Sequence, residues 1–265
     1  MIRYNLLHDC PITVNDFNNA LEIYGKDVGA IKGKTVRLKP NPVVLTHPEP
    51  IPTNIKRKLQ TMVLAADILY VDCVKIFTTI TRQLQFTTVQ MIKDRKMKTI
   101  LKCIDEIIKM YRSNGFKIQF VITDHEFESI RDTLNDTYNI ILNTSSANEH
   151  IPEMERDIRT IKDKMRGSRA SLPYTIMPRI MTLACCKYHV YWLNIFPRTN
   201  SLSSFYGPRV FMQQHFPNYK TMCRLEFGSY CEVHDDPKPS NTMTSRTTSA
   251  IALYSANNQQ GGYYL

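Results

Sequence analysis

Met62-Val-Leu-Ala-Ala-Asp67-Ile-Leu-Tyr-Val71, then Val74-Lys-Ile-Phe-Thr-Thr-Ile80, then Phe86-Thr-Thr-Val-Gln-Met-Ile92 is the stretch whose reading decides the fold. All three runs are short, apolar and rich in β-branched residues, and Asp72-Cys73 between the first two suits a tight turn. This reads as an antiparallel meander of three strands. Downstream, Ile100, Ile104, Ile107, Ile108 and Tyr111 recur at helical spacing, which predicts a helix over 97–112 that ends at Asn114-Gly115. Phe116-Lys-Ile-Gln-Phe-Val-Ile-Thr-Asp124 is the next strand and Tyr138-Asn-Ile-Ile-Leu142 a further β segment. The order βββαβ plus one more strand and two helices places the chain in the α/β class with a mixed sheet.

Two of these strands carry an acid. Asp67 interrupts the apolar first run, and Asp124 closes the fourth. A carboxylate in an apolar strand is costly unless a cation compensates it. A third acid, Glu155, lies on a basic amphipathic segment, Glu153-Met-Glu-Arg-Asp-Ile-Arg-Thr-Ile-Lys162. Its apolar stripe is Met154, Ile158, Ile161 and Met165. Glu155, Arg159, Lys162 and Arg166 fall at i, i+4, i+7 and i+11 on another face. Taken singly, a strand-end aspartate reads as a turn or cap residue and a helix glutamate as a solvated acid. Three together, without matching Cys/His sets, point to hard divalent cations, Mg2+ or Mn2+, and so to phosphoryl transfer.

The chain has 265 residues, 43% of them hydrophobic, enough for one good core and an appended module. Its net charge is +10, concentrated in two stretches. Residues 25–60 hold eight Lys/Arg against two acids, and residues 151–200 nine against four. A polyanion is the natural partner of such stretches. Seven scattered cysteines with no Cys-x-x-Cys spacing read as reduced thiols, with Cys103 and Cys185 inside apolar helical patterns. No apolar run approaches a membrane span, and the start lacks a secretory layout, so a nuclear or cytoplasmic setting is expected.

Before the meander, the sequence predicts a helix over Val14 to Tyr24 and a basic loop at Gly33-Lys34-Thr-Val-Arg37. Pro40, Pro42, Pro48, Pro50 and Pro52 then make a connector that resists helix and central strand. The expected domains are therefore 1–53 as an N-terminal segment and linker, 54–200 as the core, and 201–265 as a small β-rich tail. Another apolar helix, capped or broken near Pro178, runs to Phe196, with Tyr188, Tyr191 and Trp192 read as core residues.

These motifs, in this order, resemble the integrase of copia-type long-terminal-repeat retrotransposons. Asp67 and Asp124 match the strand acids of that family's Asp-Asp-Glu triad. Glu126-Phe127 is similar to the Glu-Phe that follows its second acid, and Glu155-Arg156-Asp-Ile-Arg159-Thr160 to the opening of its catalytic helix. Leu172-Pro173, Trp192-Leu-Asn-Ile-Phe-Pro197, Tyr206-Gly-Pro208, Phe227-Gly228 with Tyr230, and Arg246 to Leu253 resemble its later landmarks.

The resemblance implies an RNase H-like five-stranded mixed sheet with flanking helices. It also implies a DNA-joining polynucleotidyl transferase with two Mg2+ or Mn2+ ions held by Asp67, Asp124 and Glu155. DNA would be contacted by Arg156, Arg159, Lys162 and Arg166, and homo-oligomers are expected in the active state. The competing expectation is a catalytically silent nucleic-acid-binding remnant or scaffold.

Departures from the pattern are specific. Gly33-Lys34 matches the end of the family's upstream zinc module, but Asp27 and Ala30 stand where its last cysteines fall, so zinc is not expected. The family's Asp-Asn-Gly turn is Asp124-His125-Glu126 here. The chain reads as a detached or degenerate fragment of a polyprotein. Tyr70-Val-Asp72-Cys73 imitates a reverse-transcriptase motif but lacks its second aspartate. Asp72 also rivals Asp67 for the first acidic position; its place at a hairpin turn favours Asp67.

Overall fold

A computed structural model of the chain describes residues 9–36, 48–59, 61–145, 151–199, 201–235, 243–258 and 260–265. The proline-rich connector lies largely outside the described residues. In chain order the elements begin with α1 (Val14–Tyr24), α2 (Val28–Lys34) and α3 (Thr53–Lys58), followed by β1 (Thr61–Val71), β2 (Val74–Thr81) and β3 (Thr87–Ile92). Next come α4 (Met97–Ser113), β4 (Lys117–Thr123), α5 (Arg131–Tyr138) and β5 (Ile141–Thr144). The long helices α6 (Pro152–Ser171) and α7 (Arg179–Ile195) lead to short α8 (Pro208–Gln213) and α9 (Tyr219–Met222). The strands β6 (Tyr230–His234), β7 (Thr247–Ile251), β8 (Tyr254–Ser255) and β9 (Tyr263–Tyr264) complete the chain. Contacts group it into two compact units, Met1–Pro42 with Ser229–Ile251, and Val43–Gly228 with Ala252–Leu265.

The larger unit is built on a five-stranded sheet in the order β3-β2-β1-β4-β5. The β1–β2 and β2–β3 pairs are antiparallel, while β4 and β5 run parallel to β1. Three antiparallel strands, a helical crossover and parallel strands beside the first constitute the RNase H-like arrangement. The first hairpin turns on Asp72 and Cys73, at φ 46° and 62°, the left-handed pair that matches strand twist in a two-residue connection. β1 is central, so both its faces are covered, and Leu64, Ala65 and Ala66 are fully buried.

One face of the sheet is covered by α4, whose six buried side chains include Ile100, Ile104, Ile107 and Ile108. They pack with Leu64, Ala66, Ile68 and Phe77 in the main core. Gly115, at φ +79° just after the helix, supplies the conformation that releases the chain into β4. α6 and α7 cover the other face. Met154 packs with Ala65 and Ile80, and Ile161 and Met165 with Leu69, Ile76 and Cys185. All seven cysteines are free, and burial pushes the Cys185 and Cys186 thiols up to about 12.

Two local expectations change. The β segment expected at 138–142 begins at Ile141, because Asn139 adopts φ 54° and closes α5 with its N–H on the Asn135 carbonyl. The expected loop at Gly33-Lys34 is the end of α2, which Asp27 starts by accepting a hydrogen bond from the Ala30 N–H at 2.6 Å.

In the smaller unit, α1 opens with a capping box in which Thr13 and Asp16 satisfy each other's backbone N–H groups. The β6–β7 hairpin of that unit holds Glu232, which accepts from Thr247 at 2.7 Å and Ser249 at 3.0 Å. These bonds, with Tyr230 and Lys32, hold the Glu232 carboxyl down at about 2.

Candidate active site

β1 and β4 bring the two strand aspartates together by register. Val63 pairs with Phe120, Leu64 with Val121 and Ala65 with Ile122, so continuing by two residues sets Asp124 opposite Asp67. Period-two alternation puts both on the face of Ala65 and Ile122, the α6 side. Asp67 is half-buried, and its Oδ1 accepts the Ile68 N–H at 2.6 Å. Burial raises its pKa above the usual carboxylate range. The Ile68 N–H opposes that shift, the Asp124 charge adds to it, Lys162 opposes it and Glu155 adds to it.

Glu155 projects from the first turn of α6, a position that favours an acid at a helix N-terminus. Arg82 pairs with Glu153 in the same turn, tying this end of α6 to the sheet beyond β2. Asp67 and Glu155 line one cavity of about 300 Å³ together with Ile158, Arg159, Lys162 and Arg166. Asp124 does not line that cavity. Its carboxylate accepts from the Ser145 hydroxyl at 3.3 Å, and its carbonyl accepts the Phe127 N–H of the 3-10 turn His125–Ile130. Among the described residues, no group of three or more His, Cys, Asp or Glu side chains is gathered tightly enough to hold a metal ion. The donor chemistry of Asp67 and Glu155 suits a hard cation, with the third acid standing outside their cavity.

Asp72 has a different environment. It sits in the hairpin turn and accepts a hydrogen bond from Arg169 Nη1 at 2.9 Å. It lines a second cavity of about 310 Å³ with Tyr70, Lys162, Met165, Arg166 and Arg169. Lys162 and Arg166 therefore border both cavities, whereas Arg156 is exposed and lines neither. Arg166 also pairs with Asp163 at 2.5 Å. Arg169 was legible as the next step of the Glu155 stripe, three residues beyond Arg166, and the sequence reading stopped short of it.

Another residue of the site is Asp157, which lies three residues after Met154 and four before Ile161 on the apolar stripe of α6 and is 4% exposed. Arg198 Nη1 donates to it at 2.5 Å and the Thr87 hydroxyl at 2.8 Å, while Arg198 Nη2 donates to Thr87 Oγ1 at 2.9 Å. Asn194 completes the network by exchanging both amide bonds with the Thr87 backbone, at 2.9 and 2.7 Å. The network joins α6, β3 and α7, and so fixes the helix that carries Glu155 against the sheet that carries Asp67.

No family model matches this chain, and no curated protein does. Among solved structures, the catalytic core domain of BIV integrase is similar at 15% identity and TM-score 0.40, covering 56% of this chain and 90% of its own. The HTLV-2 integrase catalytic core domain in complex with magnesium, in its dimeric form, is similar at 15% identity and TM-score 0.41, covering 59% and 97%. Its trimeric form gives 15%, 0.41, 58% and 95%. Superpositions of that quality are partial, and the fold assignment stands on the chain's own strand order and register. Among the described residues, no helix is long and apolar enough to cross a membrane.

Proposed function

We propose that this chain is an integrase-type polynucleotidyl transferase of copia-like retrotransposon origin, acting on DNA 3′ ends as a homo-oligomer. The observation that carries the reading is the β1–β4 register, whose continuation brings Asp124, the first residue past the end of β4, level with Asp67, together with the cavity that Asp67 shares with Glu155. Asp67, Asp124 and Glu155 would hold two Mg2+ or Mn2+ ions, which when bound supply Lewis-acid polarisation of the phosphodiester. Burial raises the Asp67 pKa, and the Asp124 and Glu155 charges that add to the shift are the kind a divalent cation relieves. Arg156, Arg159, Lys162 and Arg166 would bind the DNA backbone and orient the scissile phosphate for in-line attack by water or a 3′-hydroxyl. Such contacts contribute salt-sensitive affinity and little sequence choice.

A second reading, a catalytically silent DNA-binding remnant, is favoured by one observation: Asp124 bonds Ser145 and stands outside the cavity of Asp67 and Glu155. Strand transfer from a pre-cut DNA end, measured with Mg2+ and with Mn2+, separates the two. The transferase joins ends in at least one metal, and Asp67→Asn or Glu155→Gln abolishes joining while DNA binding survives. The remnant binds DNA and joins nothing in either metal.

A further inference from the structure

Beside α7 lies a buried cation that no carboxylate of the described residues faces. Arg209, the second residue of α8, is 5% exposed, and its guanidinium lies 4.5 Å from the centroid of the Tyr191 ring. Its position follows from the chain: any side chain at Gly207 would collide with the Ile195 carbonyl, so α8 starts hard against the end of α7. Arg209 Nη2 is fully buried and makes no hydrogen bond, and the buried Tyr191 hydroxyl likewise has none; burial raises the Tyr191 pKa, and the Arg209 charge opposes that shift. Burial lowers the Arg209 pKa, and among the described residues no carboxylate pairs with it. A guanidinium stays charged in such a place, and an uncompensated buried charge is costly to keep.

Arg209 and Tyr191 both line a cavity of about 480 Å³, remote in sequence from the acidic residues. Lys187, Val190, Tyr191 and Asn194 recur at i, i+3, i+4 and i+7, so one face of α7 forms its wall. Lys187 Nζ lies 5.6 Å from the centroid of the Tyr254 ring at the same cavity. The Asn194 amide is already engaged by Thr87, which leaves Arg209 and Lys187 as the charged groups for a ligand, with the Tyr191 ring beneath the guanidinium. No Asp or Glu is among the lining residues.

We propose that this cavity binds a phosphate monoester. Two cations with no acid between them match a dianion better than a singly charged carboxylate. The remaining guanidinium N–H groups of Arg209 and the Lys187 ammonium suit the several oxygens of a phosphate. The volume exceeds that of a phosphate group, and Phe86, Met110, Val190 and Met212 give the remainder an apolar wall for a planar or apolar body.

Trp192, the single tryptophan of the chain, has its ring 5.4 Å from that of Tyr191 and reports directly on the site. The full chain is titrated with adenosine 5′-monophosphate, inorganic phosphate, adenosine, benzoate and a short DNA duplex, following Trp192 emission and Tm. A saturable emission change and a rise in Tm with the monophosphate are expected, weaker with inorganic phosphate and absent with adenosine or benzoate. Arg209→Met abolishes the response, Lys187→Gln weakens it about tenfold, and Arg159→Gln with Arg166→Gln leaves it intact. The proposal is overturned if millimolar phosphate probes give no saturable change, if benzoate equals the monophosphate, or if only duplex DNA responds. A response that persists in Arg209→Met overturns it too. Should Arg209→Met not fold, an unaltered response in Lys187→Gln has the same consequence.

Discussion

Asp67 in β1 and Asp124, the first residue past the end of β4, are brought level by the parallel register of those two strands. The register that pairs Ala65 with Ile122 produces this relationship two residues further on, where β4 has just ended. Asp67 consequently carries a charge that burial and a facing carboxylate both resist.

Asp67→Asn should therefore raise Tm at neutral pH. The folded pKa of Asp67 lies above its unfolded value of 3.8, so its favourable contribution is complete only below that value and is lost as pH rises through the raised pKa. Asn keeps the oxygen that accepts the Ile68 N–H. Thermal melts at pH 7 and at pH 3.5 should show a gain in the first and near equality in the second; identical curves at pH 7 would exclude charge repulsion at this site.

Asp157→Ala should destabilise the chain by about 3–5 kcal/mol, because it strands a mostly buried Arg198. The double variant Asp157→Ala with Arg198→Ala should lose less than the sum of the two single losses. Urea unfolding of all four proteins measures the coupling. Additive losses would mean that the two residues act independently.

Replacing Arg159, Lys162 and Arg166 by Gln should weaken DNA binding and flatten its salt dependence. Each phosphate contact contributes a slope of about −0.9 in log affinity against log salt, so three contacts change it by up to roughly 2.7. Stability should hardly move, since the Arg166–Asp163 pair is exposed on both sides. An unchanged slope in a folded variant would make this face a solvated surface and direct attention to Lys32 through Lys58.

His189 should make the chain acid-sensitive. It is 8% exposed and bonded to the Ser168 hydroxyl at 2.9 Å, and burial, then Lys164, lowers its pKa to about 4. Its contribution is complete above the unfolded value of 6.5 and is lost as pH falls toward about 4. After allowance for solvent screening the loss is of order 1–2 kcal/mol. His189→Asn should flatten the stability profile between those pH values; a profile of unchanged slope would contradict the buried neutral ring.

The meander, α4 and β4 were legible because each is governed by local periodicity and ends on a residue with its own turn chemistry, such as Asp72-Cys73 or Asn114-Gly115. The two aspartates were legible as anomalies in apolar strands. What escaped was long-range. Asp157 is an acid on the apolar stripe of α6 whose partner, Arg198, lies 41 positions on, and Arg209 looks like an ordinary surface cation until Gly207 presses α8 against α7. Asn139 was missed because an asparagine inside an apolar run can cap a helix or sit in a strand, and the preceding α5 decided which. That Asp124 bonds Ser145 outside the cavity of Asp67 and Glu155 follows from distances that sequence order does not encode.

The smaller unit combines Met1–Pro42 with Ser229–Ile251. A ribosome delivers these halves separately, with the whole five-stranded sheet emerging in between. Helices α1 and α2 must then wait through the synthesis of nearly two hundred residues before the β6–β7 hairpin arrives, and only then can Lys32 pair with Glu232 and the Lys32 carbonyl accept the Arg246 N–H. Termination before β7 would leave helices α1 and α2 without their hairpin while the strands of the five-stranded sheet were already made.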